Sequence, residues 1–294
     1  MKAFVLVLAL TLSASAETFK SHDGTTLHYD VVGKGKTVLL LSGGPGFSPD
    51  YLRPIANKLS DKYRFILLHQ RGTGRSTDAS NLQLPKLVED IEALRKELKL
   101  EQLVLAGHSF GGIMAMMYAR EHPDRVGALA LIDSGGPTLE SVPKFNTNLE
   151  ARFTDDEKAA IKEWTAKLKG DEHAKAVFEI TKAKTAAYFA DRSKAKLLID
   201  AMDEQSFRDT VFWAIVPQMM ALDIRAGLEK VKAPVLVLHG RQDPLESAEE
   251  VQATFPGSTL NVLDDAGHFP WLEQPGTFFK VLDGFLATAT ESCH

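Results

Sequence analysis

The 294-residue chain contains a single cysteine, Cys293, next to its C-terminus. One thiol cannot form an internal disulfide, and cysteine-based zinc sites use two or more cysteines. Positive charge is also in short supply, because 34 Lys and Arg stand against 39 Asp and Glu, for a formal net charge of -5. With no basic cluster interleaved with aromatic residues, we expect no nucleic-acid partner. The overall composition, 44% hydrophobic and 25% charged, is that of an ordinary globular protein.

The chain lacks an apolar run long enough to span a bilayer, so no stable membrane anchor is expected. The apolar run that it does have, at 3–12, follows the single charge of Lys2 and ends in a small-x-small pattern at Ala14 and Ala16. This order is typical of a secretory signal peptide. We therefore predict a signal peptide over 1–16, cleavage after Ala16, and export to the periplasm or the outside.

The segment 103–112 carries the most informative motif. An apolar strand runs into a Gly-x-Ser-x-Gly pattern centred on Ser109, and residues with helical spacing follow. A serine at such a strand-to-helix turn projects its hydroxyl, and Gly107 and Gly111 remove side chains that would collide across the turn. The pattern predicts the nucleophile elbow of a serine hydrolase.

Strands and helices alternate before and after this motif. After a hairpin that turns at Asp23-Gly24, apolar strands are predicted at 37–42, 64–69, 103–108 and 126–133, with helices at 51–59 and 84–98. Strands return at 234–239 and 259–263, and a helix at 277–286 follows. Alternation of this kind predicts an α/β fold with a mostly parallel sheet flanked by helices.

Between these two sets of strands, the chain shows only helical patterns. The predicted helices lie at 155–168, 172–190, 193–202 and 207–220. We therefore predict a core domain formed by 17–137 and 227–294, and an all-helical cap, 138–226, over the carboxyl ends of the strands.

A serine nucleophile needs a general base, because its hydroxyl is almost entirely protonated at neutral pH. Of the nine histidines, His268 is the best placed, in a loop between the last strand and the final helix. Asp243 follows the strand 234–239 across a short turn and is the predicted partner that orients this imidazole. Asp133, at the end of the preceding sheet strand, is the alternative acid. The order Ser109, Asp243, His268 is the one expected for this kind of elbow.

The oxyanion of an acyl-transfer reaction needs preorganised N–H donors. The glycine-rich turn 43–46 follows an apolar strand and can supply one backbone amide. The amide of Phe110, directly after the nucleophile, can supply the other. No Lys-Ser/Thr pair follows the glycines, so a phosphate-binding loop is not indicated.

Taken together, these segments resemble α/β-hydrolases, and specifically the proline iminopeptidase group. The residues that carry the resemblance are Ser42-Gly43-Gly44-Pro45-Gly46, His69-Gln70-Arg71-Gly72-Thr73-Gly74-Arg75-Ser76, Gly107-His108-Ser109-Phe110-Gly111-Gly112, Asp243 and Gly267-His268-Phe269. The resemblance implies an α/β-hydrolase fold, a triad of Ser109, Asp243 and His268, and oxyanion amides at Gly44 and Phe110. It covers both sheet segments and fades in the cap.

The chain departs from this group at several positions. Ser42 stands where the group usually has histidine, and His69 where it usually has aspartate. The paired tryptophans followed by glutamate, with which that group's cap helps to hold the substrate amine, are not found. The candidates for substrate contact in the cap are Trp213, Phe212 and Glu204.

The sequence thus predicts acyl-enzyme hydrolysis of a small molecule or short peptide, without a metal or organic cofactor. The resemblance favours an aminopeptidase acting on N-terminal proline or small residues. A carboxylesterase of small apolar esters is the alternative within enzymes, and a ligand-binding or sensing protein that retains a hydrolase pocket is the alternative outside them. The sequence does not indicate an oligomeric state.

Overall fold

An eight-stranded sheet forms the centre of the chain. The computed structural model describes residues 15–138, 140–220 and 222–291, so most of the predicted signal peptide lies outside the described residues. The strands are β1 (Ser15–Lys20), β2 (Thr26–Gly33), β3 (Lys36–Leu41), β4 (Tyr63–His69), β5 (Leu103–His108), β6 (Val126–Ile132), β7 (Val235–Gly240) and β8 (Thr259–Leu263). Their order across the sheet is β1-β2-β4-β3-β5-β6-β7-β8. Only β2 pairs antiparallel, with β1 and β4, and all other pairs are parallel.

Helices cover both faces of this sheet. The α-helices are α1 (Arg53–Leu59), α2 (Leu84–Glu97), α3 (Phe110–Glu121), α4 (Val142–Glu150), α5 (Asp155–Thr165), α6 (His173–Thr185), α7 (Ala195–Ile199), α8 (Asp209–Met219), α9 (Ala248–Thr254), α10 (Pro270–Glu273) and α11 (Pro275–Glu291). Successive side chains of a strand point to opposite faces. Leu39 and Leu41 therefore pack with α2 and α3, whereas Val38 and Leu40 pack with α1 and α11. Burial on both faces explains why the strands are continuous apolar runs. The predicted mostly parallel α/β sheet is confirmed.

The segment between β6 and β7 contains α4 to α8. Its described residues form helices and turns, with no strand. A capping box starts α5, in which Thr154 accepts from the amide of Glu157 and the Glu157 carboxylate accepts from the amide of Thr154. The helix predicted at 172–190 ends at Thr185, and a 3-10 turn (Ala186–Tyr188) follows it. The division into core and cap domains stays a prediction.

Two short backbone bridges involve this helical segment. Thr138 pairs with Asp223, so the entry and exit of the segment lie side by side. Phe47 pairs with Phe207, which brings the turn after β3 against the residues that precede α8. No helix among the described residues has the length and apolar character needed to cross a membrane.

Candidate active site

Ser109 lies at the turn between β5 and α3, in the left-handed region with φ of 56°. Its amide donates to the carbonyl of Ile132 (3.0 Å), and its own carbonyl accepts from the amide of Gly135 (3.2 Å). A Cβ atom at Gly107 would collide with the backbone of Gly111. The strained strand-to-helix turn that the pattern predicts is therefore present, and both glycines are required by close backbone approach.

His268 and Asp243 form the central hydrogen bond of the site. Nδ1 of His268 donates to Oδ2 of Asp243 at 2.7 Å, and both residues are buried. Oδ1 of Asp243 accepts from the amide of Leu245 (2.8 Å). Burial by itself would raise the pKa of Asp243, but the charge of His268 and these hydrogen bonds outweigh it and lower that pKa. Asp243 is therefore an ionised partner that fixes the tautomer of His268.

The loop that carries His268 lies against the elbow that carries Ser109. The ring centroids of His108 and His268 are 4.6 Å apart, and Nε2 of His108 donates to the backbone carbonyl of His268 (2.8 Å). No hydrogen bond between Ser109 Oγ and His268 is found among the described residues. Such contacts are often long without substrate and tighten when it binds. The structure thus brings the three predicted triad residues to one edge of the sheet and bonds two of them.

The glycine turn after β3 lies beside the nucleophile. A Cβ atom at Gly43 would be 2.9 Å from the Cβ of Ser109. Gly44 has φ of 114°, and a Cβ there would come within 2.6 Å of the Gly46 amide nitrogen. The amide of Gly44 has no acceptor among the described residues. The amide of Phe110 is the first of α3 and has no acceptor within the helix. Both predicted oxyanion donors are therefore available for a substrate oxygen.

Gln70 supports this turn from the end of β4. Its Nε2 donates to the carbonyl of Ser42 (2.8 Å) and to Oγ of Ser42 (2.9 Å). The Ser42 hydroxyl in turn donates to the carbonyl of Phe47 (2.8 Å), which closes the turn. Ser42, which departs from the resembling group, has a defined role in holding the loop.

A side-chain relay that was not predicted from the sequence runs through His108. Since Nε2 of His108 donates to a carbonyl, its Nδ1 must accept, and it does so from Oη of Tyr51 (2.7 Å). Oη of Tyr51 accepts from the amide of Gly43 (2.7 Å). Burial, with the nearby charge of His268, holds the pKa of His108 well below its usual range, so this imidazole stays neutral. The relay joins the glycine turn, the elbow and the His268 loop.

Glu273 is a second residue that the sequence interpretation missed. Its Oε2 accepts from the amide of Gly267 (2.6 Å), while Oε1 accepts from the amides of Ala190 (2.8 Å) and Asp191 (3.0 Å). The side chain is buried, and this burial raises the pKa of Glu273 although the three amides oppose the shift. The sequence did hold a signal, because Glu273 is the only charged residue in the apolar stretch after His268.

Tyr188 brings the helical segment into contact with His268. The carbonyl of Tyr188 accepts from the amide of His268 (2.8 Å), and the two ring centroids are 5.4 Å apart. Burial, with the charge of Asp243, raises the pKa of the Tyr188 phenol, so the phenol stays protonated. One wall of the site is thus an aromatic ring of the inserted segment.

Asp133, the alternative acid, lies behind Asp243. Its Oδ1 accepts from the amide of Gly240 (2.8 Å), and no hydrogen bond joins it to His268 among the described residues. Asp133, Asp243 and His268 each place one nitrogen or oxygen atom within 4.8 Å of the others. Asp243 is therefore the partner of His268, as predicted, and Asp133 is its close neighbour.

Two clusters have atoms close enough to surround a cation. The first is this acid and imidazole group, in which a 2.7 Å hydrogen bond already joins Asp243 and His268. The second is Asp30, Asp50 and His69, where Arg53 and Arg75 already pair with Asp30. Neither arrangement favours a metal ion over the hydrogen bonds and ion pairs already formed.

The three cap residues predicted to contact substrate differ in their neighbours and in their exposure to solvent. Glu204 is exposed and lines a cavity of about 110 Å³ whose other lining residues are His173, Ala174, Val177, Phe207, Arg208, Asp209 and Thr210. The Phe207 ring is 4.8 Å from that of Phe47, and Phe212 packs against Phe207 at 6.1 Å. Trp213 is 65% exposed. Phe212 thus approaches the glycine turn through Phe207, and Glu204 lines a cavity together with Phe207. Trp213 faces solvent, because only Val211, Ile215 and Met219 of α8 are buried.

The comparison with protein families agrees with this geometry. A family model described as alpha/beta hydrolase fold matches residues 36–275. The chain belongs to the alpha/beta hydrolase fold family. The match includes the glycine turn, the elbow, Asp243 and His268, and it supports assignment as a hydrolase.

The relatives of this hydrolase are named for different activities. It is 24% identical to a proline iminopeptidase of Saccharolobus solfataricus, with 92% of each chain covered. It is 27% identical to a pimeloyl-[acyl-carrier protein] methyl ester esterase of Aliivibrio salmonicida, covering 91% of this chain and 98% of that protein. An alpha/beta fold family hydrolase from Bacillus anthracis has a similar structure, with a TM-score of 0.75, 20% identity and coverage of 92% and 99%. Proline iminopeptidase is thus one of several neighbours at low identity, beside esterases.

Proposed function

We propose that this hydrolase cleaves carboxylic amides or esters through an acyl-enzyme on Ser109. The observation that carries the proposal is the 2.7 Å bond between buried His268 and Asp243 beside the strained elbow. Nε2 of His268 accepts the Ser109 proton as Oγ attacks the carbonyl carbon, and Asp243 stabilises the imidazolium. The amides of Gly44 and Phe110 hold the oxyanion, a role in which one donor contributes about 10²- to 10³-fold to turnover.

The second half of the reaction uses the same groups. His268 gives the proton to the leaving amine or alcohol as the carbon to leaving-group bond breaks. Water then attacks the acyl-enzyme while His268 takes its proton, and collapse of the second tetrahedral intermediate releases the acid and restores the Ser109 hydroxyl. Every proton moves through the imidazole, so no cofactor is required by this scheme.

Substitution of Ser109 tests the mechanism. Ser109→Ala should abolish turnover and covalent labelling by a fluorophosphonate, measured by intact-protein mass spectrometry. Ser134→Ala is the matched control, since Ser134 Oγ donates only to the nearby carbonyl of Gly135. Labelling that persists in Ser109→Ala would place the nucleophile elsewhere.

The first candidate substrate class is a short peptide or amide with a free N-terminal proline or small residue. The resemblance of the motifs and the relative named proline iminopeptidase support it. Glu204 supports it as well, because its exposed side chain makes no hydrogen bond or ion pair among the described residues and lines the cavity beside Phe207. We infer that this carboxylate receives the substrate ammonium group.

Paired substrates test this class. Prolyl arylamide should be cleaved, and acetylation of its amine should abolish cleavage. Glu204→Gln should raise KM about tenfold for the amine substrate with little change in kcat, whereas Asp200→Asn, which alters another cap carboxylate that pairs with Lys196, should change neither. Equal rates on the free and acetylated substrates would contradict the aminopeptidase assignment.

The second candidate is a carboxylesterase of small apolar esters. Aromatic rings around the glycine turn favour it, since Phe47 contacts both Tyr51 and Phe207. A series of p-nitrophenyl esters should then be turned over many times, faster than any prolyl arylamide. Release of one equivalent without further turnover would instead favour the ligand-binding or sensing protein.

Export is part of the proposal. Cleavage after Ala16 would remove two of the six residues of β1 and leave the pairing of Glu17 with Tyr29 and of Lys20 with Thr26. The mature sheet therefore retains its edge strand. Mass spectrometry of exported protein should find Glu17 as the N-terminal residue, and an intact Met1 in that fraction would contradict the assignment.

A further inference from the structure

Only one of the two carboxyl oxygens of Asp133 has a hydrogen-bond partner among the described residues. The residue is fully buried at the end of β6, with φ of 41°. Its amide donates to the carbonyl of Leu238 (2.9 Å), and Oδ1 accepts from the amide of Gly240 (2.8 Å). Oδ2 is buried and has no hydrogen-bond partner among the described residues. An ionised oxygen in this position would lack both solvent and a donor, which is costly in a protein interior.

The groups that face Asp133 offer it no side-chain donor. Asp243 is an ionised carboxylate, and Glu273 adds further negative potential. His239 lies beside it, with Nδ1 3.8 Å from Oδ1, but Nε2 of His239 donates to the carbonyl of Leu245. Burial lowers the pKa of His239, so the imidazole is neutral and Nδ1 carries no proton.

These surroundings favour the protonated carboxyl. Burial, followed by the charge of Asp243, raises the pKa of Asp133 well above its usual range. Two carboxyl groups this close cannot both ionise without strong repulsion, and a single proton between them removes it. Of the two, Asp243 is the one that faces the imidazole and the amide of Leu245.

We propose that Asp133 is a protonated positioning residue whose Oδ2–H donates to the carboxylate of Asp243. Together with the amide of Leu245, this donor holds the Asp243 carboxylate in the orientation that His268 Nδ1 requires. The site then carries one negative charge beside His268 rather than two. The inference rests on the proposed serine mechanism for its effect on turnover, while the proton on Asp133 is a separate, directly measurable property.

Two substitutions separate a protonated from an ionised Asp133. Asp133→Asn keeps an acceptor for the Gly240 amide and a donor for Asp243, and asparagine tolerates positive φ. Asp133→Asn should keep kcat within about twofold of the parent value. It should not move the acid limb of the plot of kcat/KM against pH. Asp133→Ala removes the donor and should lower kcat about ten- to a hundredfold with KM little changed. An acid limb that moves a unit or more to lower pH in Asp133→Asn would mean that a negative charge had been removed, and would overturn the proposal.

Infrared difference spectroscopy supplies a readout that does not depend on activity. The spectrum of the protein minus that of Asp133→Asn should show, at neutral pH, the carbonyl stretch of a protonated carboxylic acid that shifts in D₂O. Glu273 is present in both proteins and cancels. Absence of that band overturns the inference even if the enzyme is active. If the band is present but Ser109→Ala retains full turnover, the proposed function fails and the proton on Asp133 stands.

Discussion

At the scale of single residues, the neutral imidazole of His108 has one tautomer that satisfies all of its neighbours. It donates from Nε2 to the carbonyl of His268 and accepts at Nδ1 from Tyr51. The hydroxyl of Tyr51 is therefore committed to His108, and its oxygen remains free to accept from the amide of Gly43. Since that amide is occupied, it is not available to the oxyanion, whereas the Gly44 amide has no acceptor among the described residues.

Removing the Tyr51 hydroxyl tests this relay. Tyr51→Phe keeps the ring contacts but leaves the Gly43 amide and His108 Nδ1 without partners. We expect a loss of about 1–3 kcal/mol in the free energy of unfolding, measured with urea, and a lower kcat. Tyr63→Phe is the control, because its hydroxyl bonds to Asp283, so it should change stability alone. An unchanged unfolding midpoint and kcat in Tyr51→Phe would contradict the relay.

At the scale of elements, the loop between β8 and α11 is fastened to the inserted helical segment. One carboxylate, Glu273, receives amides from both sides, from Gly267 in the loop and from Ala190 and Asp191 after the 3-10 turn. A side chain at Gly267 would collide with the backbone of this turn, so the loop and the turn are in close contact. The position of His268 therefore depends on a segment distant in sequence.

Glu273→Gln should loosen this junction. The amide nitrogen of glutamine cannot accept, so at least one of the three N–H groups would lose its partner. Hydrogen exchange, measured by mass spectrometry, should speed up in peptides that contain Gly267, Ala190 and Asp191, and kcat should fall about tenfold or more. Glu250→Gln is the control, because Glu250 holds Thr138 at the other junction of the segment. Unchanged exchange at both sides of the Glu273 contact would refute the role assigned to it.

At the scale of the whole molecule, buried histidines make stability depend on pH. Burial lowers the pKa of His69 to about 4 and also lowers the pKa values of His108 and His239, so all three are neutral in the folded protein. An unfolded histidine binds a proton below its pKa of 6.5, which the folded protein does not. The contribution of these residues is fully present above pH 6.5 and is lost as the pH falls below it. The raised pKa values of Asp133 and Glu273 act in the opposite direction.

His239→Gln isolates one of these contributions. Glutamine can still donate to the carbonyl of Leu245 but does not titrate. The fall in the free energy of unfolding between pH 6.5 and pH 5 should therefore be smaller, by up to about 2 kcal/mol, than in the parent protein. His122→Gln, which removes a half-buried histidine at the end of α3, is the control for the loss of one imidazole. The same slope in His239→Gln as in the parent would show that His239 is not held neutral.

Much of the sheet and the elbow followed from local pattern. The strand at 259–263 is observed at those residues, and the positive φ at Gly24 is present. Helix boundaries were less accurate, since the helix predicted at 51–59 starts at Arg53, after a 3-10 turn. The short helix α10 and the helix α4 were not predicted, because neither is long enough to show a clear apolar period.

The sequence by itself determined the elbow around Ser109, the alternating strands and helices, and the order of Ser109, Asp243 and His268, because these depend on residue types at short spacing. The tertiary structure bonds His268 to Asp243, the acid that the sequence favoured, and it alone decided which carboxylate joins the loop to the helical segment. It also decided that Trp213 faces solvent and that Tyr51 and His108 connect the glycine turn to His268. These contacts join residues far apart in the chain, and their partners are set by how strands and loops converge at one edge of the sheet.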